Sequence, residues 1–284
     1  MNKKIALFAL LGIASFAPMA SAQYIYLIGK DQDFLQTNVG ASAPDSAHAY
    51  RFEASINGGT QDANTPASSN NITTPGGGLG LVNIAFDSSS GQWDYKQDFT
   101  TQSAMEAAFP NGTYTFNSGG TTANFPLTGN LYTNIPTATF NLSGIWSTSI
   151  YYIQPGQDLT INTNSIAGFT TGNYRVGIDA NVNNNINSYP SIQFDSLNNG
   201  LTTANGNITI PGSELTAGTD WQVKMQFNAF SNFTSSGING GTNVALYTMN
   251  TKFDVQVVPE PGETALMIGT LALGAAQLWR RRKA

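Results

Sequence analysis

Apolar and polar residues alternate in short runs along this chain. Tyr50, Phe52, Ala54 and Ile56 alternate with Arg51, Glu53 and Ser55. Trp221, Val223, Met225 and Phe227 alternate with Gln222, Lys224, Gln226 and Asn228, and Phe253, Val255 and Val257 with Asp254 and Gln256. A period of two puts each apolar set on one side of an extended backbone. The pattern predicts antiparallel sheets with one dry and one wet face. Clusters such as Asn57-Gly58-Gly59, Thr74–Gly78, Asn183–Ser188 and Asn198–Gly200 supply the turns. One short helix is expected, with Ser103 and Glu106 as a capping box and Pro110 as its stop.

A smaller pattern recurs three times: glycine just before a strand opened by an aromatic residue. The pairs are Gly112 and Tyr114, Gly172 and Tyr174, and Gly218 and Trp221. The third, within Leu215–Met225, resembles the strand E-to-F corner of fibronectin type III domains. Trp221 stands where that family usually has tyrosine. The resemblance implies an immunoglobulin-like sandwich. The fold class expected is all-β, an antiparallel β-sandwich in two domains, residues 23–125 and 126–258. A single larger jelly roll is the alternative.

Composition removes whole classes of function. The 284 residues include no Cys and a single His. That excludes disulfides, Cys-ligated metal clusters and a Cys nucleophile. Hydrophobic residues make up 40% of the chain, enough for a core, so disorder is not the expectation. The charges are segregated. Between Gln23 and Val258 there are six cations and fifteen carboxylates, a net charge of −9. Such a body repels phosphate, which excludes nucleic acid and anionic headgroups as ligands.

The remaining cations sit at the ends. Lys3 and Lys4 precede an apolar run, Ile5–Phe16, and then the small residues Ala20 and Ala22. This order predicts a secretory signal peptide, residues 1–22, cut by signal peptidase after Ala22. At the other end, Pro259-Glu260-Pro261 precedes an apolar stretch and then Arg280, Arg281, Arg282 and Lys283. Two prolines keep that strip out of any ladder or helix interior. The Arg cluster holds its end of an apolar helix on the cytoplasmic side. The three features in order resemble the PEP-CTERM sorting signal of exported bacterial surface proteins. Residues 259–284 are therefore expected to form a sorting and anchor segment with a transmembrane helix. The resemblance implies an exosortase as processing partner, the inner membrane as anchor, and the cell surface or an exopolysaccharide-rich extracellular matrix as destination.

Candidate chemistry in the body is sparse. His48 has Asp45 and Ser46 nearby, but residues so close in sequence rarely form a triad. Asp179, Asn181, Asn183 and Asn185 alternate as in a calcium loop, yet lack the central glycine and final glutamate of an EF-hand. Asp31 and Asp33 are a second oxygen cluster. Trp93, Tyr95 and Trp146 are the candidate sugar-stacking residues, and Tyr151 and Tyr152 must face opposite sides of a strand. No cofactor, resident metal or catalytic residue is assigned. The expected function is a non-enzymatic, structural or adhesive exported protein. A carbohydrate-binding module is the alternative, and a carbohydrate-active enzyme a more distant one.

Overall fold

The computed structural model describes residues 24–182, 191–235 and 237–258. The signal peptide with Ala20 and Ala22, the sorting residues Pro259, Glu260, Pro261, Arg280, Arg281 and Arg282, and Asn183 and Asn185 all lie outside the described residues. Among the described residues, no helix is long and apolar enough to cross a membrane.

The described chain is all-β, with seventeen strands and one α-helix. The strands are β1 (Ile25–Asn38), β2 (Ala41–Pro44), β3 (Tyr50–Asn57), β4 (Asn70–Thr73), β5 (Leu81–Asp87) and β6 (Gln92–Phe99). Helix α1 (Gln102–Ala108) follows, then β7 (Gly112–Ser118), β8 (Thr121–Leu127), β9 (Ala138–Phe140), β10 (Ile145–Ser147) and β11 (Ile150–Ile153). The remainder are β12 (Leu159–Thr163), β13 (Tyr174–Val182), β14 (Ser191–Asp195), β15 (Asn207–Ile210), β16 (Asp220–Thr234) and β17 (Thr242–Val257).

One large sheet runs β14-β13-β16-β17-β1-β3-β6-β5-β4-β7-β8. Strand β17 is its spine. One edge pairs with β16; the other pairs first with β1, from Ile25↔Thr242 to Leu35↔Lys252, and then with β11, from Ile150↔Asp254 to Ile153↔Val257. Both pairings on that second edge are parallel. The sheet is therefore mixed, not purely antiparallel as the sequence pattern suggested. Alternation reports which face is dry but not the direction of the neighbouring strand.

Among the described residues, four apolar clusters lie against this sheet, two of them large. In the first, β3 through β8 curl so that Tyr26, Phe52, Trp93, Tyr114, Phe116 and Phe125 converge. Helix α1 plugs the curl with Met105 and, just past its end, Phe109. Phe109 stacks on Phe52 with centroids 3.7 Å apart. Thr101, not Ser103, caps the helix, accepting a hydrogen bond from the Ala104 amide at 3.2 Å. The expected capping box does not form because Ser103 is the second residue inside the helix, and Glu106 pairs with Lys30 instead. In the second core, a small sheet, β15-β12-β9, packs over β13, β16, β17 and β11 as a sandwich. Trp221, Val223, Met225 and Phe253 fill the space between the layers.

The expected boundary at 125/126 falls inside β8, and Gly119-Gly120 is the tip of the β7–β8 hairpin. Ala245 and Tyr247 of β17 belong to the first core, whereas Phe253, Val255 and Val257 belong to the second. Gln36 ties the halves further: its amide accepts from the Ala138 N–H at 2.7 Å and donates to the Ala138 carbonyl at 3.1 Å.

The chain turns into β16 at Gly218, whose φ of +85° suits glycine. Its N–H donates to the Val257 carbonyl at 2.8 Å. Trp221 is fully buried, but its indole N–H has no partner among the described residues.

Candidate functional site

Two clusters of polar side chains stand out, one on each face of β1. The first lies on the face opposite the two large cores, beyond a smaller apolar cluster of Ile25, Leu27, Leu197, Leu201, Val244 and Leu246. Register alignment brings Asp195, Gly177, Gln226, Asn250 and Asp33 side by side on five consecutive strands, and Arg175, two residues before Gly177, lays its guanidinium over that glycine between Asp195 and Gln226. The side chains are hydrogen-bonded in sequence. Arg175 grips Asp195 through Nε at 2.9 Å and Nη2 at 2.7 Å, and its Nη1 donates to Gln226 Oε1 at 2.9 Å. Gln226 donates to Asn250 Oδ1 at 2.9 Å, and Asn250 to Asp33 Oδ1 at 2.7 Å. Lys252 closes the row at 2.9 Å from Asp33 Oδ2.

The stripe continues past β1. Arg51 donates to Asp98 Oδ1 at 2.6 Å, and Lys96 lies 2.8 Å from Asp94 and 3.8 Å from Glu53. These residues explain why the "wet" side of the strands is drier than alternation predicts. Glu53, Ser55, Gln226 and Asn228 are all buried, each satisfied by neighbours on the same face. Buried polar groups persist only when partnered in this way.

The electrostatics of the stripe separate its two aspartates. Burial, reinforced by the carboxylates of Glu53 and Asp33, pushes Asp31 up to about 7. Burial works the same way on Asp33, but Lys252, Lys224 and the Asn250 hydrogen bond outweigh it and hold its carboxyl below the ordinary range. Lys224 is lowered, by burial first and by Lys252 in addition. Opposite charges and hydrogen bonds favour the ionised form, and desolvation opposes it.

The second cluster lies inside the first core. Lys30 shares its face with Tyr26 and Ile28 and is fully buried. Its Nζ lies 2.5 Å from Glu106 Oε2 and 2.6 Å from Asn111 Oδ1. Asn111 follows the helix and begins the turn into β7; it is otherwise exposed but aims its amide oxygen inward. The Tyr247 hydroxyl donates to the same oxygen at 2.8 Å and also lies 3.2 Å from the Leu127 carbonyl. Burial lowers the Lys30 pKa, partly countered by Glu106. Burial raises that of Tyr247, so its hydroxyl stays a donor. The second carboxyl oxygen of Glu106, Oε1, is buried without a partner among the described residues. Sequence reasoning missed this cluster. Its one local signal is a lysine in phase with Tyr26 and Ile28.

The residues singled out by sequence are scattered. Trp93 is 6% exposed, and its indole N–H donates to the Asp62 and Thr65 carbonyls at 2.9 and 3.0 Å. Tyr95 packs against Phe52 and Phe109 in the first core. Trp146 packs against Phe140, Tyr151 and Phe253 in the second. The three form no shared surface. Of the tyrosine pair, Tyr151 is buried and Tyr152 half-buried. The partner of His48 is Asp98 on β6, at 2.8 Å, rather than Asp45. Asp179 is raised by burial and accepts a long hydrogen bond, 3.4 Å, from Gln193. Among the described residues, no group of three or more His, Asp or Glu is placed to hold a metal ion.

No protein-family model matches the chain, and no curated protein does. Solved structures similar to it include a Salmonella alpha-2-macroglobulin mutant, at 10% identity and a TM-score of 0.23, aligned over 85% of this chain and 15% of that one. A marsupial T cell receptor aligns at 9% identity and a TM-score of 0.26, over 85% of this chain and 74% of its own. The E. coli alpha-2-macroglobulin aligns at 12% identity and a TM-score of 0.19, over 83% and 14%. This chain thus spans only a small part of the macroglobulins it matches. Likeness at these scores carries no argument about function.

Proposed function

We propose that this is an exported, non-enzymatic protein with a structural or adhesive role at the bacterial surface. Signal peptidase removes residues 1–22, and an exosortase acts at Pro259–Pro261. The inner membrane holds the precursor through residues 259–284 until then. The body ends at the cell surface or in the exopolysaccharide matrix. The sandwich of residues 126–258 is read as immunoglobulin-like on the strength of its Leu215–Trp221 corner.

The observation that carries the structural role is the parallel pairing of β1 with β17. The first described strand starts beside Thr242, and the chain leaves β17 at its far end, toward the tail. A pull on the tail against the amino-terminal end loads that ladder in shear along its whole length, so many hydrogen bonds resist together. The side-chain row from Asp195 to Lys252 ties the same strands laterally. This arrangement suits a tethered protein that resists being pulled open.

The test compares the full chain with a variant lacking residues 259–284 in a bacterium that carries an exosortase. Protease shaving of intact cells should remove the full-length product from the surface. The truncated product should be exported without being retained there. Equal surface retention of both would overturn the sorting reading, and a cytoplasmic full-length product would overturn export.

A further inference from the structure

We infer that Lys30 and Asn111 are the reacting pair of a spontaneous intramolecular isopeptide bond, with Glu106 as the proton carrier and Tyr247 as the donor to the developing oxyanion. This inference is independent of the export reading, because the bond would form in any folded copy of the chain.

The geometry supplies each part the reaction needs. The nucleophile is a buried amine, 2.6 Å from the oxygen of the amide it would attack. The proton carrier is a carboxylate 2.5 Å from the same nitrogen. In surroundings built by Phe52, Phe109, Tyr114 and Tyr247, a charged ammonium–carboxylate pair is costly, and moving the proton to Glu106 leaves a neutral, nucleophilic amine. Burial lowers the Lys30 pKa in the direction this requires. Oε1 of Glu106, buried and unpartnered, is free to exchange a second proton. The Tyr247 hydroxyl already points at Asn111 Oδ1, where negative charge would develop. The leaving nitrogen, Nδ2, faces the exposed rim at the Gly129 carbonyl, 3.4 Å away, which gives ammonia a way out.

The balance closes without an oxidant, metal or co-reactant. Lys30 gives one proton to Glu106 and attacks Asn111 Cγ, forming the Nζ–Cγ bond. Glu106 delivers its proton to Nδ2 and takes one from Nζ. The Cγ–Nδ2 bond breaks, ammonia leaves, and Glu106 ends protonated beside a neutral amide. A buried ion pair is replaced by an uncharged covalent tie. That tie joins β1, the partner of β17, to the turn between α1 and β7, across 81 residues of sequence.

Mass spectrometry of the purified full chain tests this directly. The expected product is lighter by one ammonia, and after digestion it yields a branched peptide joining Lys30 to Asn111. Trypsin should fail to cut after Lys30. Glu106→Gln should fold, by circular dichroism, and show no branched peptide. Asn111→Ser removes the electrophile at an exposed residue, so it should fold and keep its full mass even if Glu106→Gln does not fold. An intact wild-type mass with a linear Lys30 peptide overturns the proposal. A deficit confined to a linear peptide containing Asn111-Gly112 also overturns it, because that is a backbone imide formed by the Asn-Gly pair. A branched peptide in Glu106→Gln as abundant as in the wild type overturns the role given to Glu106.

Discussion

Lys224 on β16 and Lys252 on β17 are register partners, and the carboxylate of Asp33 on β1 lies 2.9 Å from the second of them. Two like charges directly opposite destabilise a sheet. Asp33 offsets that repulsion and is itself held ionised by it. Five of the six body cations are ion-paired: Arg51, Lys96, Arg175 and Lys252 across strands, and Lys30 to Glu106 on helix α1.

Asp33→Asn should therefore be strongly destabilising. It leaves Lys224 and Lys252 facing each other on a largely buried face, with Asp45, 3.9 Å from Lys252, as the remaining carboxylate in ion-pair range of the two. Breaking one partner of a buried pair costs about 3–5 kcal/mol, and the partial exposure of Lys252 places this case toward the lower end. Urea denaturation at pH 7 measures the shift in midpoint; an unchanged midpoint would contradict the role assigned to Asp33.

Asp31 predicts a pH dependence of opposite sign to the usual carboxylate. Its folded pKa, about 7, is above the unfolded value near 3.8. Between those values the folded state binds more protons, so this group makes the protein less stable as pH rises from about 4 to about 7. Asp31→Asn should flatten that slope and stabilise the protein at pH 8 by roughly 1–2 kcal/mol, a figure discounted for partial solvent access. Asp33 acts the other way, contributing stability above the unfolded value that is lost as pH falls through its lowered pKa. Thermal melts of both variants between pH 4 and 8 separate the two contributions.

Gln36→Ala removes both hydrogen bonds to Ala138 and leaves that strand's N–H and carbonyl unpaired in a buried place. The expected cost is about 1–3 kcal/mol. Amide exchange should accelerate first in β9, because it is an edge strand of the small sheet.

Trp146→Ala should lower the melting temperature, because its ring packs on Phe140, Tyr151 and Phe253. Truncating a large aromatic in a core costs about 3–5 kcal/mol, less here since the ring is only half-buried. Co-sedimentation with purified exopolysaccharide, measured below the variant's melting point, should be unchanged. A specific loss of binding there would favour the carbohydrate-binding alternative.

Much of the strand content was legible in the chain. Phe52, Ala54 and Ile56, Trp221 to Phe227, and Phe253 to Val257 all face cores as their alternation foretold. The helix before Pro110 formed where expected, although its cap shifted to Thr101. Alternation and turn residues are local properties, and a backbone cannot bury every second side chain without becoming a strand of defined facing.

What the chain could not disclose was which strands meet. Nothing in the pattern of β1 says that its neighbour is β17, parallel and more than two hundred residues away, or that β11 continues the same edge. Nor does Glu53 or Gln226 reveal that its polar side is closed over by partners on adjacent strands. Lys30 is the sharpest case: its neighbours in sequence are ordinary, and its neighbours in space are a carboxylate, an amide and a phenol from three other segments. Sequence determined the facing of each strand because that depends on a few adjacent residues. Tertiary structure alone decided the partners, because pairing is chosen by the summed burial and hydrogen bonding of whole strands.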